Sequence, residues 1–305
     1  MEQGIAQQLV VGTHGGAAQE CVVLRQQSQL SIVLRQLRRN RGAVIGLSLL
    51  ILEILIAIAA PLVAPYNPLE QSPLTALRGP STKHPFGTDD VGRDILSRVI
   101  YGARISLRVG LISVSIAATI GTVLGIIAGF YGGRLDSLIM GLANVLLAFP
   151  GILLALAIIA VLGPGLFNVM VAVGIGGIPT YIRVARGSTL SIRNCDYVTG
   201  ARAVGCNNYR IMLRYILPNA LPPLIVLMTV GVAGAILTAS GLSFLGLGAQ
   251  PPTPEWGAML NAGRTYLRQA WWVAVFPGLA ITITVLSINM LGDGLRDALD
   301  PKLRR

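Results

Sequence analysis

The chain is 305 residues long, 53% hydrophobic and 12% charged, with a formal net charge of +11 and a mean hydropathy of +0.68. A soluble domain carries about 25% charged residues, so an ordinary water-soluble fold is excluded. The positive balance invites a nucleic-acid partner, but the basic residues fall in clusters between long apolar runs, which argues against one.

In chain order, residues 1–30 read as a cytoplasmic tail, a candidate for disorder, with no basic start and no apolar run long enough for a cleavable signal. Residues 31–305 read as a single transmembrane domain. Six segments are apolar enough to span: Val44–Ala64, Val109–Phe130, Leu138–Leu162, Gly165–Ile182, Leu221–Ala249 and Ala270–Gly292. A spanning helix needs roughly 20 apolar residues. The Gly165 segment is short and interrupted by Gly174, Gly176, Gly177 and Pro179, so a re-entrant course is an alternative there. Six crossings place the clusters around Arg25–Arg41, Arg183–Arg214 and Arg296–Arg305, with Arg134, on one side of the membrane. Basic residues collect on the cytoplasmic side, so both termini are expected in the cytoplasm. The far-side loop 66–103 carries Arg78, Lys83, Arg93 and Arg98 and follows the rule less well.

Glu53 is the one charge inside a span. Intramembrane carboxylates are costly and are functional suspects by default, although a glutamate can also stay protonated or pair with a polar group. Pro150 and Pro277 interrupt spans, and such breaks are tolerated where they line a cavity or are buried in protein. The three residues are candidates for a translocation path, with ordinary kinks as the plainer account of the prolines. Gly121, Gly125 and Gly129 recur every fourth residue and share one helix face, where another helix can approach closely.

In the long loop, Thr88 or Asp89 is predicted to cap an interfacial helix that buries Val91, Ile95, Leu96, Val99 and Ile100. Asp89, Asp90 and Asp94 are expected to cap and to pair with Arg93 or Arg98 rather than to hold a metal. Trp256, Trp271 and Trp272 suit the headgroup layer as anchors. Cys21, Cys195 and Cys206 fall on the cytoplasmic side, where a disulfide framework is not expected, and their spacing matches no zinc site.

Between the fourth and fifth spans lies DYVTGARAVGCNNYRIMLRYILPN, Asp196–Asn219. Asp196 can cap one short helix, Gly205 can stop it with a left-handed backbone, and Asn207 can cap a second that Pro218 ends. The product is a bent, arginine-bearing helical pair in a cytoplasmic loop, 183–220. The lysines are Lys83 and Lys302, and neither follows a glycine, so no phosphate-binding G-x-x-x-x-G-K-[ST] loop exists here. With no H-E-x-x-H and no G-x-S-x-G, an enzyme is not expected.

This loop resembles that of binding-protein-dependent ABC importer permeases, a pattern of E-A-A, three residues, G, and a later I-L-P. Gly200 and Ala201 stand for the alanines, Gly205 for the glycine, Ile216-Leu217-Pro218 for the end, and Thr199 replaces the family's usual glutamate. HPFGTDDVGRDILSRVIYGARISL from His84, FPGILLALAI from Phe149, ASGLSFLGLGAQPPTPEWGAML from Ala239 and LGDGLRDALDP from Leu291 resemble the C-type permease of dipeptide, oligopeptide, glutathione and nickel importers.

The resemblance implies an all-α membrane protein of about six transmembrane helices with the type I ABC importer permease fold, in a bacterial inner membrane. It implies a homologous B-type permease, two cytoplasmic ABC ATPases and an extracytoplasmic substrate-binding protein as partners. ATP and Mg would sit on the ATPases, with no cofactor on this chain. Thr199, Gly200, Ala201, Arg202, Gly205, Arg210, Ile211, Ile216, Leu217 and Pro218 would form the ATPase-coupling loop. The substrate stays open between peptides and nickel or another small solute. An ion-coupled secondary transporter would need several mid-membrane ionisable groups and repeated halves, where this chain offers Glu53.

Overall fold

The computed structural model describes residues 35–299; the tail expected at 1–30 lies outside them. The main helices are α1 (Arg41–Ile58), α2 (Ile95–Tyr131), α3 (Gly133–Ala148), α4 (Gly151–Leu162), α5 (Leu166–Ile192), α6 (Asp196–Ala203), α7 (Asn208–Ile211), α8 (Leu217–Phe244), α9 (Trp256–Gly263) and α10 (Trp272–Leu299). Among the described residues the only β pairing is an isolated bridge between Thr88 and Asp94. Five helices are long and apolar enough to span a membrane, counting α7 and α8 as one.

The sixth crossing is broken. The run expected as one helix over Leu138–Leu162 is the pair α3 and α4, bent by 94°. Phe149 is extended and Pro150 caps α4 without a side-chain hydrogen bond. The proline ring denies its predecessor a helical backbone, so the break is a corner rather than a kink. The pair still traverses the bundle. α3 starts beside the end of α2, where Arg193 Nη1 donates to Gly129 O (2.8 Å). Past the far end of α4, Gly165 N donates to Leu247 O (3.0 Å), just beyond α8. By contrast, the Gly165–Ile182 segment is a continuous helix that runs on to Ile192 with Pro179 inside it, so the re-entrant alternative falls.

α2 and α5 run parallel in close contact. A Cβ on Gly121 would lie 2.7 Å from Ile178 O, one on Gly125 2.6 Å from Ile182 O, and one on Gly129 2.7 Å from Thr189 Cβ. Only hydrogen fits at these points, so the four-residue spacing becomes a seam where backbone meets backbone. Glycines also admit neighbours at the α1–α10 crossing, where a Cβ on Gly46 would meet Ser287 O at 2.6 Å. Glu53 lies on α1 beside Thr284 of α10. Its Oε2 is shut from solvent and has no hydrogen-bond partner among the described residues, while the Thr284 hydroxyl donates to Ala280 O. Pro277 is buried inside α10.

At the end away from α6, the long loop is tied down by charge and indole. Asp94, not Thr88 or Asp89, caps the helix, accepting from Ser97 N (2.8 Å) and Ser97 Oγ (2.7 Å). No separate interfacial helix precedes it, because Asp89 instead turns the chain and receives Arg93 Nε (2.6 Å). Arg98 reaches across to Pro68 O (3.0 Å) and Pro252 O (3.3 Å), and His84 Nδ1 contacts Asp94 (2.9 Å). Two of the three tryptophans are core residues rather than anchors. Trp256 donates to Val99 O (3.0 Å) and Trp272 to Thr88 O (3.2 Å), which satisfies each buried N–H. Trp271 alone is exposed. Glu255 caps α9 through Gly257 N (2.9 Å) and Ala258 N (2.8 Å). Burial pushes its carboxyl above the usual range despite those two bonds.

Candidate functional site

Two features stand out, a bent helical pair at one end of the bundle and a cavity at its middle. The pair begins after α5. Cys195 rather than Asp196 is the cap of α6, and Asp196 occupies the first turn, where its charge complements the helix dipole. The stop is a two-bond C-terminal motif: Cys206 N donates to Ala201 O (3.0 Å) and Gly205 N to Arg202 O (2.9 Å). Such a motif needs a left-handed residue at its corner, and Gly205 supplies it at φ +80°. Asn207 then caps α7, its side chain accepting from Tyr209 N (3.2 Å).

The second helix does not end at Pro218. α7 passes through a π turn at Met212–Ile216 directly into α8, and Pro218 sits in the first turn of α8. The widened turn, with Leu217 N donating to Met212 O, accommodates a residue that has no N–H to give. Asn219 Nδ2 donates to Tyr215 O (2.6 Å), one turn earlier. The loop is therefore rigidly continuous with the fifth span.

The pair has two faces. Val198, Ala201, Ile211 and Ile216 are buried against the bundle, and all four belong to the cluster that includes Ile182, Ala185 and Phe130. On the outside, Val204 is 81% and Tyr209 67% exposed, and Gly200, Gly205 and Arg210 are exposed too. Thr199 is exposed, with its hydroxyl donating to Cys195 O (3.3 Å). Leu217 is half-buried and Pro218 exposed. Arg202 is not a free cation: its guanidinium lies 5.2 Å from the centroid of the Phe130 ring, at the end of α2.

Polar struts join this end of the molecule to α3. Arg186 of α5 grips Asp136 of α3 through two bonds, Nε–Oδ1 at 2.6 Å and Nη2–Oδ2 at 2.7 Å. One turn earlier, Arg183 donates to Asn144 Oδ1 (2.9 Å). α3 buries only Ile139 and Ala143, and these struts add to its attachment.

The cavity, about 400 Å³, lies among α2, α4, α5 and α8 where the α3–α4 corner turns. Among the described residues, no charged one lines it. Its polar groups include the hydroxyls of Ser113, Thr180, Tyr181 and Thr238. Ser113 donates to Met170 O (3.0 Å) and Tyr181 faces Leu227 O at 3.4 Å. Thr180, Gly151 and Ile152 at its rim are exposed, so the cavity opens to the outside of the chain. The structure does not put Glu53 or Pro277 on this wall, and Pro150 adjoins it through Gly151. Sequence reasoning missed Thr180 and Thr238; their four- and seven-residue spacing from Gly176, Gly231 and Gly234 was the available signal.

Spanning helices with a broken crossing, a central uncharged cavity and a bent helical pair on one end define a membrane-embedded transport subunit. Residues 121–305 match the family described as "Binding-protein-dependent transport system inner membrane component", and residues 28–80 match "N-terminal TM domain of oligopeptide transport permease C". The dipeptide transport system permease protein DppC of Alkalihalophilus pseudofirmus is 49% identical over 270 residues, covering 88% of this chain and 89% of that protein. The glutathione transport system permease protein GsiD of Escherichia coli is 51% identical over 271 residues, with 88% and 89% coverage. A structure of the MetNI methionine ABC transporter in an inward-facing conformation shares the fold, with a TM-score of 0.55 at 20% identity over 68% of this chain and 98% of that one. The chain belongs to the inner-membrane components of binding-protein-dependent transport systems.

Proposed function

We propose that this chain is the C-type permease subunit of an ATP-driven importer of peptides, taking substrate from an extracytoplasmic binding protein. The relatives named for dipeptide and glutathione transport support the substrate class. It works beside a homologous B-type permease and above two cytoplasmic ABC ATPases, which bind the ATP and Mg. Membrane lipid covers the outer apolar faces, and both termini lie in the cytoplasm.

The observation that carries the mechanism is the two-faced α6–α7 pair. Its inner face is locked into the bundle and its outer face, led by Val204 at 81% exposure, is uncovered among the described residues. Seated in a groove of an ATPase, such a pair is a lever. Movement of the ATPase reaches α2 through Arg202 on Phe130 and reaches the fifth span through the unbroken π turn. ATP shifts the conformational equilibrium only by binding the two states with different affinity. The struts from α5 to α3 pass that motion to the corner beside the cavity. Arg210 supplies a charge that can pair with acidic groups on the ATPase.

Purification of the complex and reconstitution into liposomes tests this reading. Two ATPases should remain bound, and dipeptide should accumulate only with ATP and loaded binding protein. Uptake by the chain alone, driven by a proton gradient, would overturn it. A parallel assay with glutathione identifies the substrate within the class, and one with nickel tests the alternative to it.

A further inference from the structure

The glycines of this chain fall into groups with different physical reasons. Those at the α2–α5 seam are glycine because a Cβ would strike the neighbouring helix. Gly163 and Gly205 are glycine because their φ is positive. Gly176 of α5 and Gly234 of α8 have neither reason, since a Cβ built on either meets nothing within 4 Å. Each costs its helix about 1 kcal/mol relative to alanine. Both line the cavity, and both leave it wider.

The wall also carries hydroxyls. A threonine inside a helix often turns its hydroxyl back onto the carbonyl four residues earlier, as Thr229, Thr282 and Thr284 do here, while Thr119 and Thr122 of α2 leave theirs open away from the cavity. Thr180 and Thr238 are helical and line the cavity, yet neither hydroxyl has a hydrogen bond among the described residues. A hydroxyl both donates and accepts, so it can serve an amide N–H or C=O alike. An uncharged wall also avoids holding a charged substrate too tightly to release, a condition any conducting path must meet. At about 400 Å³ the space is near the lower end of small-molecule sites, roughly 300–1,000 Å³.

Resting on the reading of the chain as a peptide-importer permease, we propose that Gly176 and Gly234 set the girth of the peptide side chain that passes, while Thr180 and Thr238 hydrogen-bond the peptide main chain whatever its sequence. Selection by size then follows selection by the binding protein and is independent of it.

The test uses the complete complex in liposomes, with dialanine and diphenylalanine as tritiated substrates at saturating loaded binding protein. Gly234→Leu should cut diphenylalanine uptake at least about tenfold, in the range a tight pocket imposes on excess bulk, and leave dialanine nearly unchanged. ATP hydrolysis stimulated by the binding protein should persist. The near-isosteric pair Thr180→Val and Thr238→Val, with assembly checked by co-purification of the ATPases, should slow both peptides by the same factor. Equal effects of Gly234→Leu on the two peptides, or none on either, would overturn the girth assignment. Unaltered uptake by the double valine variant would overturn the main-chain contact. Should the unmodified complex import neither dipeptide nor glutathione, it is the peptide reading that fails, and the variants are not needed to see it.

Discussion

Gly125→Ala should destabilise this protein although alanine is the better helix former. The new Cβ would sit 2.6 Å from Ile182 O, 2.7 Å from Ala185 Cβ and 3.0 Å from Arg186 N, where ordinary contact begins at 3.4 Å. Two of those atoms are backbone, so no side chain can swing away and α5 itself has to move by most of an ångström. Overpacking of this kind costs about 1–3 kcal/mol, against a gain of about 1 kcal/mol from helix propensity. Strain relief by displacing α5 would also pull Arg186 from Asp136, a bidentate contact at 2.6 and 2.7 Å. Gly141→Ala is the matched control, because a Cβ there meets nothing within 4 Å, and it should be neutral or stabilising. Thermal unfolding of the purified complex in detergent compares the two. A midpoint for Gly125→Ala equal to or above that of Gly141→Ala would refute the seam.

Gly205→Pro puts a residue confined to φ near −65° where the backbone has φ +80°; the complex should insert and assemble but hydrolyse ATP without uptake. Arg210→Glu should do the same by reversing an exposed charge, and is a cleaner probe than Arg202→Glu, which also loses the Phe130 contact. Normal coupling in both would remove the α6–α7 pair from the mechanism. Asp136→Asn should weaken the α3–α5 strut by about 1 kcal/mol, the scale of a partly exposed ion pair, and raise ATP hydrolysis in the absence of binding protein. The swap Asp136→Arg with Arg186→Asp should bring it back down, and an additive double-mutant cycle would deny the strut. Burial raises the Glu255 carboxyl above its ordinary 4.5, so the folded state keeps that proton to higher pH than the unfolded chain does. Its stability contribution is full below that ordinary value and falls as pH rises beyond it. Glu255→Gln should flatten this part of the pH dependence of the unfolding midpoint, and an unchanged slope would place its origin elsewhere.

The α6–α7 loop shows how far local chemistry reaches. Gly205, Asn207 and the short apolar faces around them are near-neighbour signals, and caps and left-handed corners are decided within a few residues. The struts are different: Asp136 and Arg186 are fifty residues apart, and nothing in either neighbourhood names the other. The same holds for Arg202, a charge that reads as free until Phe130 is placed under it. Trp256 and Trp272 depart from the anchor expectation for a related reason. Apolar character near a span end suits a headgroup anchor as well as a core position, and only the carbonyls of Val99 and Thr88, over 150 residues away, decide for the core at Trp256 and Trp272.

Membrane residence and the broad order of spans followed from the sequence by itself, because a bilayer demands long runs without charge and the runs are contiguous in the chain. The four-residue glycine repeat marked a close-packing face on the same local footing. Which helix meets that face, where α3 turns into α4, and which residues enclose the cavity were decided only in three dimensions. Hydropathy has no direction: the apolar run from Leu138 to Leu162 scores alike whether straight or bent by 94°. The repeat singles out Gly125, but nothing in one dimension says what the position of Gly234 faces. Tertiary structure separates them by what their missing side chains would have touched, another backbone in one case and open space in the other.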